Sequence, residues 1–492
     1  MSSDQPAVLL ITADQLRRDG LGCYGGRAVA TPNLDRLAAS GTVYDCAYTA
    51  SPWCLPSRAS ILTGLLPRHH GAYSNFRQER LSPDVPNLYS TLRSAGYRTA
   101  HVGKCHYAPV PYGDTRPDRT LPYDDFHAYY RSLGIDELRL QDDKQVSVWF
   151  MDDYAKELEA AGYLEAYREA VWNRANAKVF TFPGPTEWHP DSWVGRNTVD
   201  VLNNHSHDET PLFLWASFSG PHFPFDPPTE YLDRVDTSAL GEPAVDPDEF
   251  ATPDRLHYRS FHGPHQGWIE GGTWHHRTPD YWTKLRHHYA ANIALIDDHI
   301  GDIITTAETH HGNNLAIIFT TDHGEMLGNH GFWGKNNGYY QDVLNTPLIY
   351  RRPHQAQAGT RSDRLTSAID IYPTLTSHIT KPALQTDTPD SGDPEYTATT
   401  GNPTTGHRPD GRHLDQPGHS HVYAEGERFL TITNGSHKLV HAHRDNHTYT
   451  ELFHQPTDPT ETHNLAGHPD HTQAQHHLTT TALTDLIATT LP

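Results

Sequence analysis

The chain has 492 residues, 36% of them apolar, and a formal net charge of −22 at pH 7. A chain of this length can form two or three average domains, or one large α/β domain with an appendage. The acidic balance argues against nucleic acid and against an anionic membrane as general partners. An anionic small molecule is compatible with this charge where basic residues gather in a pocket.

The first residues, MSSDQPAVLLITADQ, contain a short apolar run that predicts a first strand. The run is shorter than a secretory signal requires, and no stretch of the sequence approaches the length of a membrane span. The four cysteines show neither metal-ligand nor CxxC spacing, as expected for reduced thiols: Cys23, Cys46, Cys54 and Cys105. We therefore predict a cytoplasmic protein.

Four apolar runs end in polar residues that can take part in chemistry. The runs AVLLITADQ, GYRTAHVGKCH, PLFLWASFSGPH and LAIIFTTDHGE end, in this order, in Asp14 and Gln15, in Lys104 and His106, in His222, and in Asp322 and His323. Helical patterns such as NLYSTLRSAG and HYAANIALIDDHIGDIITTAET lie between such runs, which is typical of buried parallel strands with crossover helices. Ligands of open α/β sheets bind at the carboxyl ends of the strands, so we expect these polar residues to converge.

The stretch SPWCLPSRASILTG predicts a short helix that begins near Cys54 and ends at Gly64. Pro56 is compatible with the first helical turn, because its missing N–H costs nothing there. A helix start exposes unpaired N–H groups and the positive end of the helix dipole. We therefore expect Cys54 beside an oxyanion site, with Arg58 reaching back from one turn later.

The rest of the sequence predicts insertions, a linker and a small C-terminal subdomain. Residues 114–279 are rich in Trp, Tyr, His and Pro, which favours long insertions over the sheet. Residues 381–411 have the composition of a loop. A hairpin with a type I′ turn at Asn434-Gly435 is then predicted by the segment RFLTITNGSHKLVHAH. A further strand is predicted by YTELFHQ, and a closing helix by TTTALTDLIATTL. The predicted units are a catalytic α/β domain (1–380), a linker (381–419) and an α+β subdomain (420–492).

The motif CLPSRASILTG contains every fixed position of C-x-P-S-R-x-x-x-x-T-G and resembles the signature of the sulfatases. Other segments resemble further motifs of that family in the right order: ITADQLRRDGLGCYGG, GYRTAHVGKCHY, FSGPHFPFDPP, TTDHGEMLGNHGFWGKNN, AIDIYPTL and ELFHQPTDPTETHNLA. The sequence thus resembles the formylglycine-dependent type I sulfatases of the alkaline phosphatase superfamily. The resemblance implies an α/β fold with a large mixed, mostly parallel sheet sandwiched by helices, and a small C-terminal antiparallel sheet plus helix.

The resemblance implies one divalent metal, held by Asp14, Gln15, Asp322 and His323. A formylglycine, made from Cys54 by a formylglycine-generating enzyme, would be a further ligand. Many sulfatases have Asp-Asp and Asp-Asn where this chain has Asp-Gln and Asp-His. An amide in place of a carboxylate and an imidazole in place of an amide shift the preference from calcium towards manganese or zinc. We expect calcium from the resemblance, with manganese next.

The resemblance also implies roles for the remaining polar residues. Arg58 and Lys104 would steady the oxygens of the nucleophile, with His106 beside them. His222 and Lys335 would bind the sulfate and assist the leaving group, His222 as the first candidate for proton donor and Lys335 as the next. Asn75, in GAYSNF, matches a substrate-contacting position.

The implied reaction converts a small-molecule sulfate ester to an alcohol and inorganic sulfate. Such a reaction must neutralise charge on the sulfate oxygens, supply a nucleophile and stabilise the leaving alkoxide. In the family, a hydroxyl of the hydrated aldehyde at residue 54 attacks sulfur, and the sulfated hemiacetal expels sulfate as the second hydroxyl loses its proton. A serine nucleophile would lack that second hydroxyl, so its sulfate ester would have to be hydrolysed by water.

Three other functions are compatible with parts of the pattern. The Asp-Gln and Asp-His pairs also resemble those of the phosphonate monoester hydrolases and of some alkyl-type sulfatases in the same superfamily. The first alternative is therefore hydrolysis of a phosphonate monoester or a phosphodiester, although the phosphonate enzymes carry Tyr and Thr where this chain has Lys104 and His106. A cysteine phosphatase would use the Cys54 thiolate directly, but its loop needs five residues between Cys and Arg, and here there are three. The third alternative is a non-catalytic anion-binding protein that kept the fold, but such a protein would not need the complete set of metal ligands and Cys54.

Overall fold

The computed structural model describes residues 5–75, 80–108, 124–145, 147–173, 177–206, 209–246, 248–262, 278–335, 338–379, 409–444 and 446–490. Within these ranges the large sheet has eight strands: β1 Ala7–Asp14, β2 Thr42–Tyr48, β3 Arg98–Gly103, β4 Glu137–Leu140, β5 Leu212–Pro221, β6 Leu315–Thr321, β7 Leu348–Arg351 and β8 Thr360–Ser367. Their order is β4-β3-β5-β1-β6-β7-β2-β8. Strand β7 pairs antiparallel with β6 and β2, and the other neighbours pair parallel. The predicted mixed, mostly parallel sheet is confirmed.

The four predicted strands with polar ends are neighbours in the middle of this sheet. Strand β1 pairs with β5 on one side and with β6 on the other, and β3 pairs with the far side of β5. All these pairings are parallel, so the carboxyl ends of the four strands lie along one edge of the sheet. The predicted convergence of their polar residues follows from this order.

The sheet is covered by helices on both faces. The helices of the described residues are α1 Pro32–Ser40, α2 Cys54–Thr63, α3 Pro67–His70, α4 Leu88–Ser94, α5 Asp124–Ser132, α6 Ser147–Phe150, α7 Asp153–Ala160, α8 Leu164–Trp172, α9 Pro190–Asn204, α10 Thr229–Leu232, α11 Tyr258–His262, α12 Pro279–His311, α13 Gln341–Leu344, α14 Ile371–Thr376 and α15 Thr472–Thr490. None of the helices in the described ranges is long and apolar enough to cross a bilayer.

Strand β1 shows why the central strands have nearly continuous apolar sequences. Its Leu9 and Ile11 side chains pack in the core formed with α1, α9 and α12, whereas Val8 and Leu10 pack in the core formed with α2, α4 and α14. A strand with two buried faces needs an apolar side chain at every position, not at every second one. Full burial of each such side chain contributes about 1.5–3 kcal/mol.

The region 114–279 contributes more to the sheet than the sequence predicted. Besides β5, it contains β4, which pairs parallel with β3 at the edge of the sheet. Strand β4 has only four residues, too few to show a period in the sequence. Helices α5 to α11 make up much of the rest, while residues 109–123 and 263–277 lie outside the described ranges.

The C-terminal part forms the predicted antiparallel sheet with a closing helix. Its strands are β9 Val422–Gly426, β10 Phe429–Thr433, β11 His437–Arg444 and β12 His447–His454, in the order β12-β11-β10-β9, followed by α15. Of the predicted linker, residues 381–408 lie outside the described ranges. Residues 409–419 pack on the large domain, where the Asp410 N–H donates to the Gly64 carbonyl at 2.9 Å.

The hairpin between β10 and β11 is confirmed, but its turn is not the predicted type I′. Asn434 closes the loop, because its N–H donates to the His437 carbonyl at 3.2 Å and its Oδ1 accepts from the His437 N–H at 2.8 Å. The central pair is therefore Gly435-Ser436. Gly435 has a positive φ (+84°) and Ser436 does not, whereas a type I′ turn needs positive φ at both central positions.

Two glycines, one before β3 and one at its last position, provide a test of how tightly the central strands pack. Gly96 (φ +91°) and Gly103 (φ +101°) both have left-handed backbones, but a Cβ at Gly103 would lie 1.9 Å from the Ser217 carbonyl oxygen, while one at Gly96 meets no described atom within 4 Å. We expect Gly96→Ala to lower the free energy of unfolding by about 1–2 kcal/mol, the cost of the backbone alone. Gly103→Ala should cost about 1–3 kcal/mol more, because β3 and β5 must separate. Urea unfolding of both variants measures this, and equal losses would contradict the packing.

Candidate active site

Cys54 is the first residue of α2, as predicted, and is fully buried. The helix ends at Gly64, whose φ of +72° is left-handed. The Asn75 side chain approaches the start of the helix from outside, and its Oδ1 accepts a hydrogen bond from the Leu55 N–H at 2.9 Å. Asn75 thus caps the helix that carries Cys54; its predicted contact with a substrate stays a prediction.

Three acceptor atoms converge beside Cys54. The His323 Nδ1–H donates to the Gly324 carbonyl at 3.0 Å, so His323 Nε2 carries a lone pair. This nitrogen lies 3.7 Å from Asp14 Oδ1 and 3.8 Å from Asp322 Oδ1. Burial lowers the pKa of His323 to about 4, which keeps the ring neutral. Two carboxylate oxygens and a neutral imidazole nitrogen that face one another fit a divalent cation.

The Cys54 thiol is part of this cluster. Its Sγ lies 3.1 Å from His323 Nε2 and 3.8 Å from Asp14 Oδ1. The ligand atoms of Asp14, Cys54, Asp322 and His323 all lie within 4.8 Å of one another. Burial raises the pKa of the thiol to about 12, with Asp14 as the next cause. A thiolate nucleophile is therefore disfavoured, which counts against the cysteine phosphatase alternative.

Two cations neutralise the carboxylates from the other side. Arg58 Nε donates to Asp322 Oδ2 at 2.8 Å, and its Nη1 donates to the Lys104 carbonyl at 3.0 Å and to Ser217 Oγ at 2.8 Å. Lys104 Nζ contacts Asp14 Oδ2 and donates to Asp143 Oδ2 at 2.9 Å. Burial opposes ionisation of Asp14, but Lys104 and the neighbouring cations outweigh it and hold the pKa of this carboxyl well below its usual range.

His222 and Lys335 form a second group at the site. The His222 Nδ1–H donates to the Phe223 carbonyl at 2.7 Å, so His222 Nε2 accepts from Lys335 Nζ at 2.7 Å. Burial, and then Lys335, lowers the pKa of His222 well below its ordinary value. Lys335 Nζ also donates to Gln15 Oε1 at 2.8 Å. In this arrangement the Lys335 ammonium carries the proton and donates the hydrogen bond, and His222 Nε2 is the hydrogen-bond acceptor.

His106 lies in the same buried region and has a left-handed φ of +50°. Neither of its ring nitrogens has a hydrogen-bond partner among the described residues. Burial, followed by the nearby Lys104, lowers its pKa well below the ordinary value. His106 is therefore a neutral ring with both polar atoms unpaired, which suits a residue that contacts a ligand.

The structure brings the sequence-predicted residues to one place and adds three that sequence reasoning missed. Asp143 holds Lys104, Ser217 holds Arg58, and Glu325 accepts from the Gln15 side-chain amide. Glu325 lies two residues after His323, inside the quoted TTDHGEMLG segment. Asp143 comes shortly after β4. A carboxylate that follows a strand is a usual signal for a site, but β4 is too short to be recognised in the sequence.

This chain is similar in fold to solved hydrolase structures and similar in sequence to one protein family. A solved structure of the phosphonate monoester hydrolase of Agrobacterium radiobacter has a TM-score of 0.75 at 23% identity and covers 99% of this chain and 96% of that chain. The fold is that of the alkaline-phosphatase-like hydrolases, as the sequence predicted. The Sulfatase family model matches residues 6–380. The chain therefore belongs to the sulfatase family of sulfuric ester hydrolases.

Two curated relatives are 30% identical to this chain. One is the arylsulfatase of Clostridium perfringens, aligned over 388 residues that are 77% of this chain and 76% of that protein. The other is the multifunctional alkaline phosphatase superfamily protein PehA of Trinickia caryophylli, aligned over 391 residues that are 75% of this chain and 72% of that protein. The sulfatase family as a class generally uses a metal ion and a formylglycine.

The geometry predicts one divalent ion per chain. A second group of ligand atoms, from Asp14, Asp143 and His222, also lies within 4.8 Å, but the Lys104 ammonium contacts both of its carboxylates and supplies the positive charge there. Elemental analysis of the purified protein should give one ion per chain, and two would contradict this assignment. Removal of the ion by a chelator should lower the melting temperature, because a ligand at a hundred times its Kd stabilises by about 2.7 kcal/mol.

Proposed function

We propose that this protein is a formylglycine-dependent sulfatase that hydrolyses a small-molecule sulfate ester, with one divalent cation beside residue 54. The observation that carries the proposal is the position of the Cys54 Sγ, in contact with His323 and close to Asp14, at the start of a helix and within a ring of buried cations. Calcium is the first candidate for the cation and manganese the second. A formylglycine-generating enzyme as maturation partner and a cytoplasmic location stay predictions.

The charge of the site supports a monoanionic substrate. Three cationic side chains, Arg58, Lys104 and Lys335, meet four carboxylates, Asp14, Asp143, Asp322 and Glu325. With neutral histidines these residues carry one net negative charge, and a divalent cation changes this to one net positive charge. A sulfate monoester has a single negative charge and balances it, whereas a phosphate monoester dianion exceeds it.

The residues around the site divide the work of the reaction. Asp14, Asp322, His323 and the Gln15 amide would hold the cation. When present, the cation and the hydrated aldehyde would supply Lewis-acid stabilisation and a nucleophile with two geminal hydroxyls. Arg58 and Lys104 fix the carboxylates and add positive field beside residue 54, which favours the charge that develops on sulfate oxygens.

Lys335 is the proposed proton donor to the leaving oxygen. The sequence pointed first to His222, but its Nδ1–H is committed to the Phe223 carbonyl and its Nε2 accepts from Lys335. The pair therefore offers a proton on Lys335 Nζ, and His222 orients that ammonium. The ammonium also lies 5.6 Å from the centre of the Phe223 ring, which favours the same position.

Hydrolysis of a phosphonate monoester or a phosphodiester is the second candidate. The full-length structural match to a phosphonate monoester hydrolase and the similarity to PehA favour it, and these substrates are monoanions too. The Lys104 and His106 pair favours the sulfatase, because the resemblance expects Tyr and Thr at these positions in the phosphonate enzymes.

A panel of nitrophenyl substrates tests the proposal. We expect kcat/KM to be highest for 4-nitrophenyl sulfate, lower for bis(4-nitrophenyl) phosphate and 4-nitrophenyl phenylphosphonate, and lowest for the dianion 4-nitrophenyl phosphate. The aldehyde content at residue 54 is measured by peptide mass spectrometry in the same batch, and activity should rise in proportion to it. Higher kcat/KM for the diester or the phosphonate would establish the second candidate, and full activity with unmodified Cys54 would exclude the mechanism.

A leaving-group series tests the role of Lys335. General acid catalysis contributes about 10²–10⁴-fold when the leaving group is poor and little when it is a nitrophenolate. Lys335→Ala should therefore reduce kcat for alkyl sulfates much more than for 4-nitrophenyl sulfate. Ser217→Ala, which removes a hydrogen bond from Arg58, is the control and should affect all substrates equally. If Lys335→Ala instead lowered kcat by the same factor for every leaving group, Lys335 would not be the proton donor and its role would be limited to sulfate binding.

A further inference from the structure

Gln15 follows β1 directly, and its backbone is held in place by two contacts. Its φ of +64° is left-handed, which is uncommon for a residue other than glycine. The Gln15 N–H donates to Asp322 Oδ1 at 3.1 Å, and the Tyr289 hydroxyl donates to the Gln15 carbonyl at 2.8 Å. The side chain therefore starts from a fixed point at the carboxyl edge of the sheet.

The side-chain amide of Gln15 has two ends of similar shape and opposite hydrogen-bonding character. An amide oxygen accepts hydrogen bonds and an amide nitrogen donates them, so only the neighbours decide which end faces the site. Lys335 Nζ is a donor only and lies 2.8 Å from Gln15 Oε1. On the opposite side, Gln15 Nε2 donates to Glu325 Oε2.

Glu325 is itself fixed as an acceptor. It is completely buried, and its Oε1 accepts from the Leu327 N–H at 3.1 Å and from the Gly334 N–H. The Arg17 guanidinium holds the backbone of the same segment, because its Nη1 donates to the Glu325 carbonyl at 3.2 Å. One oxygen accepts from two backbone donors, and the other oxygen accepts from the Gln15 amide nitrogen.

We propose that Glu325 is the positioning residue that fixes the Gln15 amide, so that the amide oxygen, which accepts from Lys335, and not the amide nitrogen is available to the proposed cation. This inference rests on the proposed function, because it takes Gln15 as one of those ligands. A carboxylate at position 15 would present an oxygen in either orientation and would need no such partner. The Asp-Gln pair of this chain thus requires a neighbour that accepts and cannot donate.

The isosteric variant Glu325→Gln should reverse the amide. The introduced side chain must still offer its oxygen to the Leu327 and Gly334 N–H groups, so its NH2 group faces Gln15. The Gln15 oxygen then turns towards position 325, and its NH2 group turns towards Lys335. Loss of such an outer partner typically costs about 10–100-fold in metal affinity. We expect this loss in the Kd for Mn²⁺, measured by calorimetry on chelator-treated protein without substrate.

The reciprocal variants make the test specific. Gln15→Glu alone places two carboxylates face to face and should also weaken Mn²⁺ binding. The double variant Gln15→Glu/Glu325→Gln exchanges the two groups: the amide at position 325 donates to the carboxylate at position 15, whose other oxygen accepts from Lys335. We expect the double variant to bind Mn²⁺ at least fivefold more tightly than either single variant. A merely structural role would not produce this recovery.

Glu461→Gln is the matched control. Like Glu325, Glu461 is buried and accepts from a backbone N–H, that of Gln341; its side-chain donor is Lys438, and it lies in the C-terminal part. The Glu461→Gln variant should leave the Kd for Mn²⁺ unchanged. An unchanged Kd in Glu325→Gln, or a double variant that binds no better than both single variants, would overturn the proposal. The proposed function fails by a different result, the absence of sulfate ester hydrolysis by the wild-type protein.

Discussion

The buried carboxylate of Asp14 is the interaction on which the rest of the site depends. It has no contact with solvent, and an unpaired charge in such a place costs several kcal/mol. The protein offsets this cost with the Lys104 ammonium on one oxygen and with Arg58, 3.8 Å from the same oxygen, while the Cys54 thiol lies 3.8 Å from the other oxygen. These partners come from different parts of the chain, so one charge determines how these parts must lie.

The parallel sheet makes this arrangement possible. Its central strands end at one edge, and each places a polar residue there without exposing its apolar body to water. Helix α2 completes the site from the other side, with Cys54 in its first turn and the Asn75 cap beside it. The apolar strands therefore provide a rigid frame, and the charged residues lie only where the strands end.

Donors and acceptors alternate through the site, and this alternation fixes groups that could otherwise take two orientations. Glu325 accepts from Gln15, Gln15 accepts from Lys335, and Lys335 donates to His222, which in turn donates to a backbone carbonyl. The amide of Gln15 and the imidazole of His222 each have two forms, and their neighbours select one. The position of the available proton, on Lys335 and not on His222, follows from this series of contacts.

The sequence by itself determined the central strands, the helix at Cys54 and the residue types at the site, because apolar runs, helix signals and the C-x-P-S-R motif are local patterns. It could not reveal β4, whose four residues have no recognisable period, nor Asp143, which meets Lys104 only through the pairing of β4 with β3. The cap by Asn75 and the orientation of the Gln15 amide were likewise decided by tertiary contacts. The reason is physical: local patterns set which groups a segment carries, whereas the choice between two orientations of a group depends on donors and acceptors that lie far away in the chain.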